Sequence, residues 1–222
     1  MLLSSKGLVL KVFPYSNTSV ICNIFTDDYG KLTFIVKGIR KPKKPLLSIL
    51  QPFNLIELQY YYKKDRGIQL IKEADIIISF EKLRNNFSTI IIGSTILNII
   101  NKVFEKEYSN EIIFRLIYKT LNKLSDIDNH NKIYFIFFIF HLNKQLGFMP
   151  NINEIKNAIN ENGALFLDQI NETHIDQLLD IETTPNLLKK TYNFLIFFMR
   201  HHIHSMGNIK GLNQLEKIYN AK

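Results

Sequence analysis

The sequence predicts an α+β protein: a small β-barrel over residues 1–80, then an α-helical domain over residues 81–222. Three observations carry this. Apolar residues recur at every second position up to Ile78, the period of half-buried strands, and at every third or fourth position after Ser79, the period of amphipathic helices. The turns between the early apolar runs are short and rich in Gly, Pro and Asn. Hydrophobic residues make up 46% of the 222, ample for burying a core, and with Cys22 as the one cysteine no intrachain disulfide is available to staple it.

In order along the chain, the strands are read from Leu8, Leu10 and Val12; from Val20, Cys22 and Ile24; from Leu32, Phe34 and Val36; from Ile56, Leu58 and Tyr60; and from Ile68 and Leu70. Turn chemistry separates them at Pro14 to Asn17, Asp27 to Gly30, Gly38 to Pro45 and Lys63 to Gly67. Short strands in so little chain fit a closed barrel of SH3 or OB type, because closure removes unpaired edges.

Past a boundary near Phe80, the spacing of Phe87, Ile90, Ile91, Thr95, Leu97 and Ile100 predicts an amphipathic helix. Further helices are expected over residues 110–124, 131–146 and 185–204, the last capped by Thr184 with Pro185 in its first turn, and over 212–219. Between Gly147 and Thr184 the period is lost, which predicts a loop-rich insertion over residues 147–184 with a short strand at Ala164 to Leu167. Ile133 to Phe140 and Phe194 to Met199 fall far short of the roughly 20 residues of a membrane span and read as buried helix cores. Leu2 and Leu3 are too little for a secretory signal, and together with the single cysteine this points to the cytoplasm and away from membranes.

Charge is unevenly spread. The net charge is +8 and the pI about 9.4, which favours a polyanionic partner. Residues 1–80 hold 12 Lys or Arg against 6 acids, and residues 81–222 hold 16 against 14, so the excess lies in the barrel. Lys37, Arg40, Lys41, Lys43 and Lys44 fall in one turn without an acid, and Lys63, Lys64 and Arg66 follow the run Tyr60, Tyr61, Tyr62. Cations beside exposed rings suit single-stranded nucleic acid, where they neutralise phosphates while the rings stack on bases. Alternation sends Tyr60 into the core with Ile56 and Leu58, leaving Tyr61 as the stacking candidate.

Other chemistry finds no footing. His201, His202 and His204 lack the i, i+4 pairing and the nearby carboxylate of a helical metal site, and read instead as a basic patch at a helix C-terminus. Asp27 and Asp28 sit in a turn, where acids make local backbone bonds. No Gly-rich loop ends in Gly-Lys, so ATP hydrolysis is not expected. Cys22, on an apolar strand, should be buried and inert.

A more specific pattern is carried by Asn17-Thr18-Ser19-Val20, Phe25-Thr26, Tyr29-Gly30-Lys31, Val36-Lys37-Gly38-Ile39-Arg40 and Leu50-Gln51-Pro52-Phe53, with Leu55 and Leu58. In this order and spacing the segment resembles the N-terminal domain of the bacterial RecO family. The helical half resembles the family more loosely, through its helices and Leu146-Gly147-Phe148-Met149-Pro150. The resemblance implies an OB-fold followed by a helical domain, in a non-enzymatic, cofactor-free repair and recombination mediator at the nucleoid. It implies binding of single- and double-stranded DNA, annealing of complementary strands, and loading of the RecA recombinase onto DNA coated by single-strand-binding protein. Implied partners are RecR, often RecF, and the acidic C-terminal tail of the single-strand-binding protein.

By position, Lys31, Lys37, Arg40, Lys41, Lys43 and Lys44 would contact DNA, with Tyr61, Lys63, Lys64 and Arg66 beside them; His141, Lys144, Leu146 and Phe148 would receive the acidic tail, which needs an apolar pocket with a cationic rim. The chain departs from many family members in lacking a four-cysteine zinc module after the Leu-Gly-aromatic stretch, so no metal of that kind is expected. Three other readings stay open at this point: an OB-type RNA-binding factor; a nucleotidyl transferase using Lys37, which lacks the surrounding motifs; and an interaction protein in which the helical half binds partners and the barrel tunes affinity.

Overall fold

In strand β3 (Gly30–Val36) every second residue is buried, and the buried set includes Leu32, Phe34 and Val36, the apolar series of the sequence. The computed structural model describes residues 1–38, 46–105, 108–126, 131–203 and 209–220. With β1 (Leu2–Pro14), β2 (Val20–Thr26), β4 (Asn54–Tyr61) and β5 (Gln69–Ser79), β3 forms a closed barrel in the order β1-β2-β3-β5-β4. The second half of β1 pairs with β2, its first half pairs with β4, and a register shift between Val9 and Lys11 supplies the bend. A parallel pairing of Phe34 with Gln69 and Ile35 with Leu70 closes the ring. Of the two barrel types the sequence admits, this connectivity is that of an OB-fold.

Inside the barrel Phe34 meets Tyr60 edge to face at 5.1 Å, and the Tyr60 hydroxyl shares a buried 3.1 Å hydrogen bond with Ser5 Oγ. Burial pushes the Tyr60 phenol and the Cys22 thiol each up to about 12, so both stay protonated at neutral pH. The Gln51-Pro52-Phe53 turn has a physical reason as well. Phe53 takes a left-handed backbone (φ 76°) that buries its ring and aims its N–H at the Val9 carbonyl, 3.2 Å away. The buried Asn54 side chain then donates to the carbonyls of Ser48 and Ile49 at the end of α1 (Leu46–Ile49) and accepts from Ser79 Oγ.

After β5 come α2 (Phe87–Val103), α3 (Glu111–Asp126), α4 (Asn131–Gln145), α5 (Ile152–Ala158), α6 (Glu161–Glu172), α7 (Pro185–His202) and α8 (Leu212–Asn220). The chain forms two compact units, Met1–Glu81 with Ile100–Phe114, and Lys82–Ile99 with Arg115–Lys222. Residues 100–114, expected with the helices, thus belong with the barrel: Phe104 packs on Phe25 at 5.4 Å, and Asn101 Oδ1 accepts from Asn23 Nδ2 at 2.8 Å. In the helical unit, α4 is buried from Ile133 through Phe140, as a helix surrounded by others must be. Thr184 caps α7 by accepting from the Leu187 N–H, with Pro185 in the first turn. Among the described residues no helix is long and apolar enough to cross a membrane.

Two expectations are corrected here. The segment 147–184 is mostly helical, with α5, α6 and a 3-10 helix at Ile175–Asp180, and Ala164 to Leu167 lies in α6 rather than in a strand. Asn151 and Glu154 form a capping box that starts α5, Asn160 accepts from the Gly163 N–H to start α6, and Gly163, Phe166, Leu167 and Ile170 make a buried helical stripe. Four apolar residues carry too few repeats to separate the two periods. Phe194 to Met199 is not wholly a buried core either, because Phe197 is 71% exposed while Leu195, Ile196, Phe198 and Met199 are buried.

Candidate nucleic-acid interface

Residues paired directly across neighbouring strands share a face of the sheet. On the outside of the barrel, Phe13 pairs with Ile21, Ile21 with Ile35, Ile35 with Leu70, and Leu70 with Tyr61. A row of apolar and aromatic side chains therefore crosses four strand pairings, with Phe13 and Tyr61 36% and 47% exposed at its ends. The row has one residue on each strand of the closed ring and so runs round the barrel; its β2–β3 part, the buried Ile21 and the half-buried Ile35, lies on the face by which barrels of this type hold oligonucleotides.

The loops at one end of the barrel place cations along this row. Tyr15 from the β1–β2 loop, Ile35 and Lys37 from the end of β3, Arg66, Gly67 and Ile68 from the β4–β5 loop, and Leu70 line an open groove of about 420 Å³. Lys37 and Arg66, from the two separate clusters of the sequence, thus meet at one site, and both are exposed. Tyr15 adds a 63% exposed ring.

The β4–β5 loop is held from beneath by Gln69, which is 1% exposed. Its Oε1 accepts from the Lys63 N–H at 2.9 Å, and its Nε2 donates to the carbonyls of Lys63 at 3.0 Å and Arg66 at 2.7 Å. With the Arg66 N–H donating to the Lys63 carbonyl at 3.0 Å, the loop is a tied turn that presents Lys63, Lys64 and Arg66 to solvent. At the opposite end of β3, the β2–β3 turn closes through Thr26, whose Oγ1 donates to the Gly30 carbonyl and accepts from the Tyr29 N–H. Asp27 there accepts from the Lys6 N–H at 3.1 Å, a bond to β1, 21 residues away, and not the local turn bond expected from the sequence.

The expected DNA contacts are therefore distributed as follows. Lys37 and Arg66 line the groove, Tyr61 stands outside it as the cross-strand partner of its Leu70, and Lys63 and Lys64 share the Arg66 loop. Arg40, Lys41, Lys43 and Lys44 lie outside the described residues. Lys31 stands apart: six residues before Lys37 along β3 it is roughly 20 Å away, and its Nζ donates to the Asn101 carbonyl at 2.6 Å, in the last turn of α2. Tyr15 and Gln69 were not singled out from the sequence. Tyr15 is signalled only as an aromatic in a turn, and Gln69 only as a polar residue where a strand begins.

In the helical unit the four expected partner residues divide. His141 packs on Phe137 at 4.2 Å and faces the Ile170 carbonyl at 3.3 Å, and Lys144 donates to Asn171 Oδ1 at 2.7 Å, so both address the end of α6. Burial holds the His141 imidazole below its ordinary value, which keeps it neutral. Phe148 instead lies tilted against His202 at 5.1 Å, at the end of α7, and Leu146 is half-buried. His202 is itself tied to the Phe198 carbonyl at 2.9 Å; His204 lies outside the described residues. Among the described residues no cluster of three His, Cys, Asp or Glu side chains is arranged to hold a metal ion.

Comparison with known proteins points to one family. Residues 1–80 match the family model described as Recombination protein O N terminal, and residues 84–155 match that described as Recombination protein O C terminal. The chain is 27% identical over 154 residues to the DNA repair protein RecO of Prosthecochloris aestuarii, covering 69% of this chain and 58% of that protein. It is 31% identical over 153 residues to that of Chlorobium limicola, covering 69% and 59%. With the DNA repair protein RecO of Azobacteroides pseudotrichonymphae the identity is 26% over 202 residues, covering 89% of this chain and 84% of the relative. The chain thus spans less than two thirds of the first two relatives. Two successive family models in register with the barrel and the start of the helical unit lead to one assignment: the chain belongs to the recombination protein O (RecO) family.

Proposed function

We propose that this protein is a DNA repair and recombination mediator that binds single- and double-stranded DNA through its barrel. On this reading it acts by binding rather than catalysis. It anneals complementary strands and helps load the RecA recombinase onto DNA coated by single-strand-binding protein, in the cytoplasm at the nucleoid. Its protein partners are RecR, RecF and the acidic tail of the single-strand-binding protein, the last received near His141 and Lys144.

The observation that carries the reading is the groove in which Lys37 and Arg66 stand with the exposed Tyr15 over Ile35 and Leu70, the exposed Tyr61 pairing with Leu70 beside it. Cations placed this way neutralise phosphates whatever the sequence, and exposed rings stack on any base. Base edges are left free, which is the state annealing needs. Lys37, Arg66, Lys63 and Lys64 are joined in this role by Arg40, Lys41, Lys43 and Lys44, which follow Lys37 within eight residues of sequence.

The test is binding of a labelled single-stranded DNA and of an RNA of the same sequence, followed by annealing of two complementary DNA strands. Tight DNA binding with faster annealing is expected. Preference for RNA without acceleration would replace the reading with an RNA-binding factor.

A further inference from the structure

Helix α7 carries five basic residues, Lys189, Lys190, Arg200, His201 and His202, and no acid over its 18 residues. Its apolar side is used up inside the helical unit, where Thr191, Tyr192, Leu195, Ile196, Phe198 and Met199 are buried. The exposed residues Lys189, Lys190, Asn193, Phe197, Arg200 and His201 fall within about a third of the helix circumference at 100° per residue. Phe197 lies near the centre of that stripe and is 71% exposed, a large ring standing where the helical period calls for a polar side chain. Lys190 and Asn193 precede it by two turns and one turn, and Arg200 and His201 follow it within one turn, so the cations bracket the ring along about 15 Å of helix.

We propose that this stripe is a second binding site for single-stranded nucleic acid, in which a base stacks on Phe197 while Lys190 and Arg200 take the phosphates on either side. A cation pair bracketing an exposed aromatic is the arrangement that sequence-indifferent strand binding uses. A lipid surface suits it less, since a helix lying on a membrane presents a continuous apolar face and α7 has already buried its own. The inference rests on the barrel reading above, to which it adds a function. A chain with one strand in the barrel groove and another on α7 holds two strands at once, which the barrel groove alone does not provide.

The experiment uses the full chain with two non-complementary oligo-dT strands, one carrying a donor and the other an acceptor fluorophore. Energy transfer reports two strands on one protein particle, and anisotropy of the donor strand alone reports the first, tighter binding event. A Phe197→Ala, Lys190→Glu, Arg200→Glu variant changes only exposed side chains, and an unchanged thermal unfolding curve verifies its fold; Phe197→Ala alone serves if the triple variant misfolds.

The expected result is that first-strand binding persists while the protein concentration needed for energy transfer rises about tenfold, within what stacking of one base is worth. Undiminished energy transfer in the variant overturns the inference and leaves the barrel reading intact. So does loss of binding to anionic phosphatidylserine vesicles with energy transfer preserved, which would make the stripe a lipid site. Failure of the wild-type chain to bind the first strand at all defeats the barrel reading instead.

Discussion

Gln69 lends itself to a quantitative test because its side chain is buried and every bond it makes goes to the loop that carries Arg66. Gln69→Ala removes three hydrogen bonds, of 2.9, 3.0 and 2.7 Å. At about 1 kcal/mol net for each, the loss is about 3 kcal/mol, and at 1.4 kcal/mol per factor of ten it raises the open population of the β4–β5 hairpin about a hundredfold. Native-state hydrogen exchange at the β4 and β5 amides reads this directly, without requiring the two units to unfold together. A loosened loop also weakens single-strand binding, because Arg66 loses its fixed position.

Gln69→Glu adds a sign to the test. A carboxylate there would face the Lys63 and Arg66 carbonyls from a buried site, so its pKa in the folded chain rises above the roughly 4.3 of an exposed glutamate. The variant should then be most stable below that value and lose stability as the pH rises through the folded pKa. Unchanged exchange in Gln69→Ala, or a Gln69→Glu variant whose stability increases with pH over that range, would refute the role assigned to this side chain.

Further outcomes are expected elsewhere. Gly30 and Gly38 both have a left-handed backbone, φ 65° and 67°, but a Cβ at Gly30 would collide with the Tyr108 carbonyl whereas at Gly38 it meets nothing within 4 Å. Gly38→Ala should cost about 1 kcal/mol for the backbone alone and Gly30→Ala distinctly more, as urea unfolding of the two variants will show; equal costs would contradict the contact. For His141, burial depresses the folded pKa below the ordinary 6.5, so the unfolded chain binds the proton more readily. Its contribution is complete above that value and is lost as the pH falls below it through the folded pKa. Thermal midpoints across that interval should drop more in the wild type than in His141→Gln, and parallel curves would exclude His141 as the cause.

Much of this was legible in the sequence because period-2 and period-3.6 patterns report directly on burial. The strands of the barrel, the inward Tyr60, the inert Cys22, the buried α4 and the Thr184 cap of α7 all follow from which residues must leave water. What escaped the sequence depends on contacts between distant residues. Phe104 joins the barrel through Phe25, and Lys31 is drawn to the Asn101 carbonyl away from Lys37; neither pairing has a local signature. The outward row from Phe13 to Tyr61 exists only once the strand registers are known, since each strand contributes a single member. Likewise the meeting of Lys37 with Arg66 comes from the closure of β3 against β5, which no spacing along the chain encodes. The caps of α5 and α6 were readable as Asn151 with Glu154 and as Asn160, but the weak apolar period between them hid both helices.

The central claim is that the barrel groove holds single-stranded DNA through Lys37 and Arg66. The most direct measurement is the affinity of a fluorescent single-stranded oligonucleotide across a salt series, for the wild type and for Lys37→Ala with Arg66→Ala. Each phosphate contact contributes about 0.7 to the slope of log affinity against log salt on single strands, so losing two should make the slope shallower by about 1.4 while the affinity falls. A variant that binds with the same affinity and the same slope as the wild type would show that the groove is merely solvated, and that DNA, if bound, is held elsewhere.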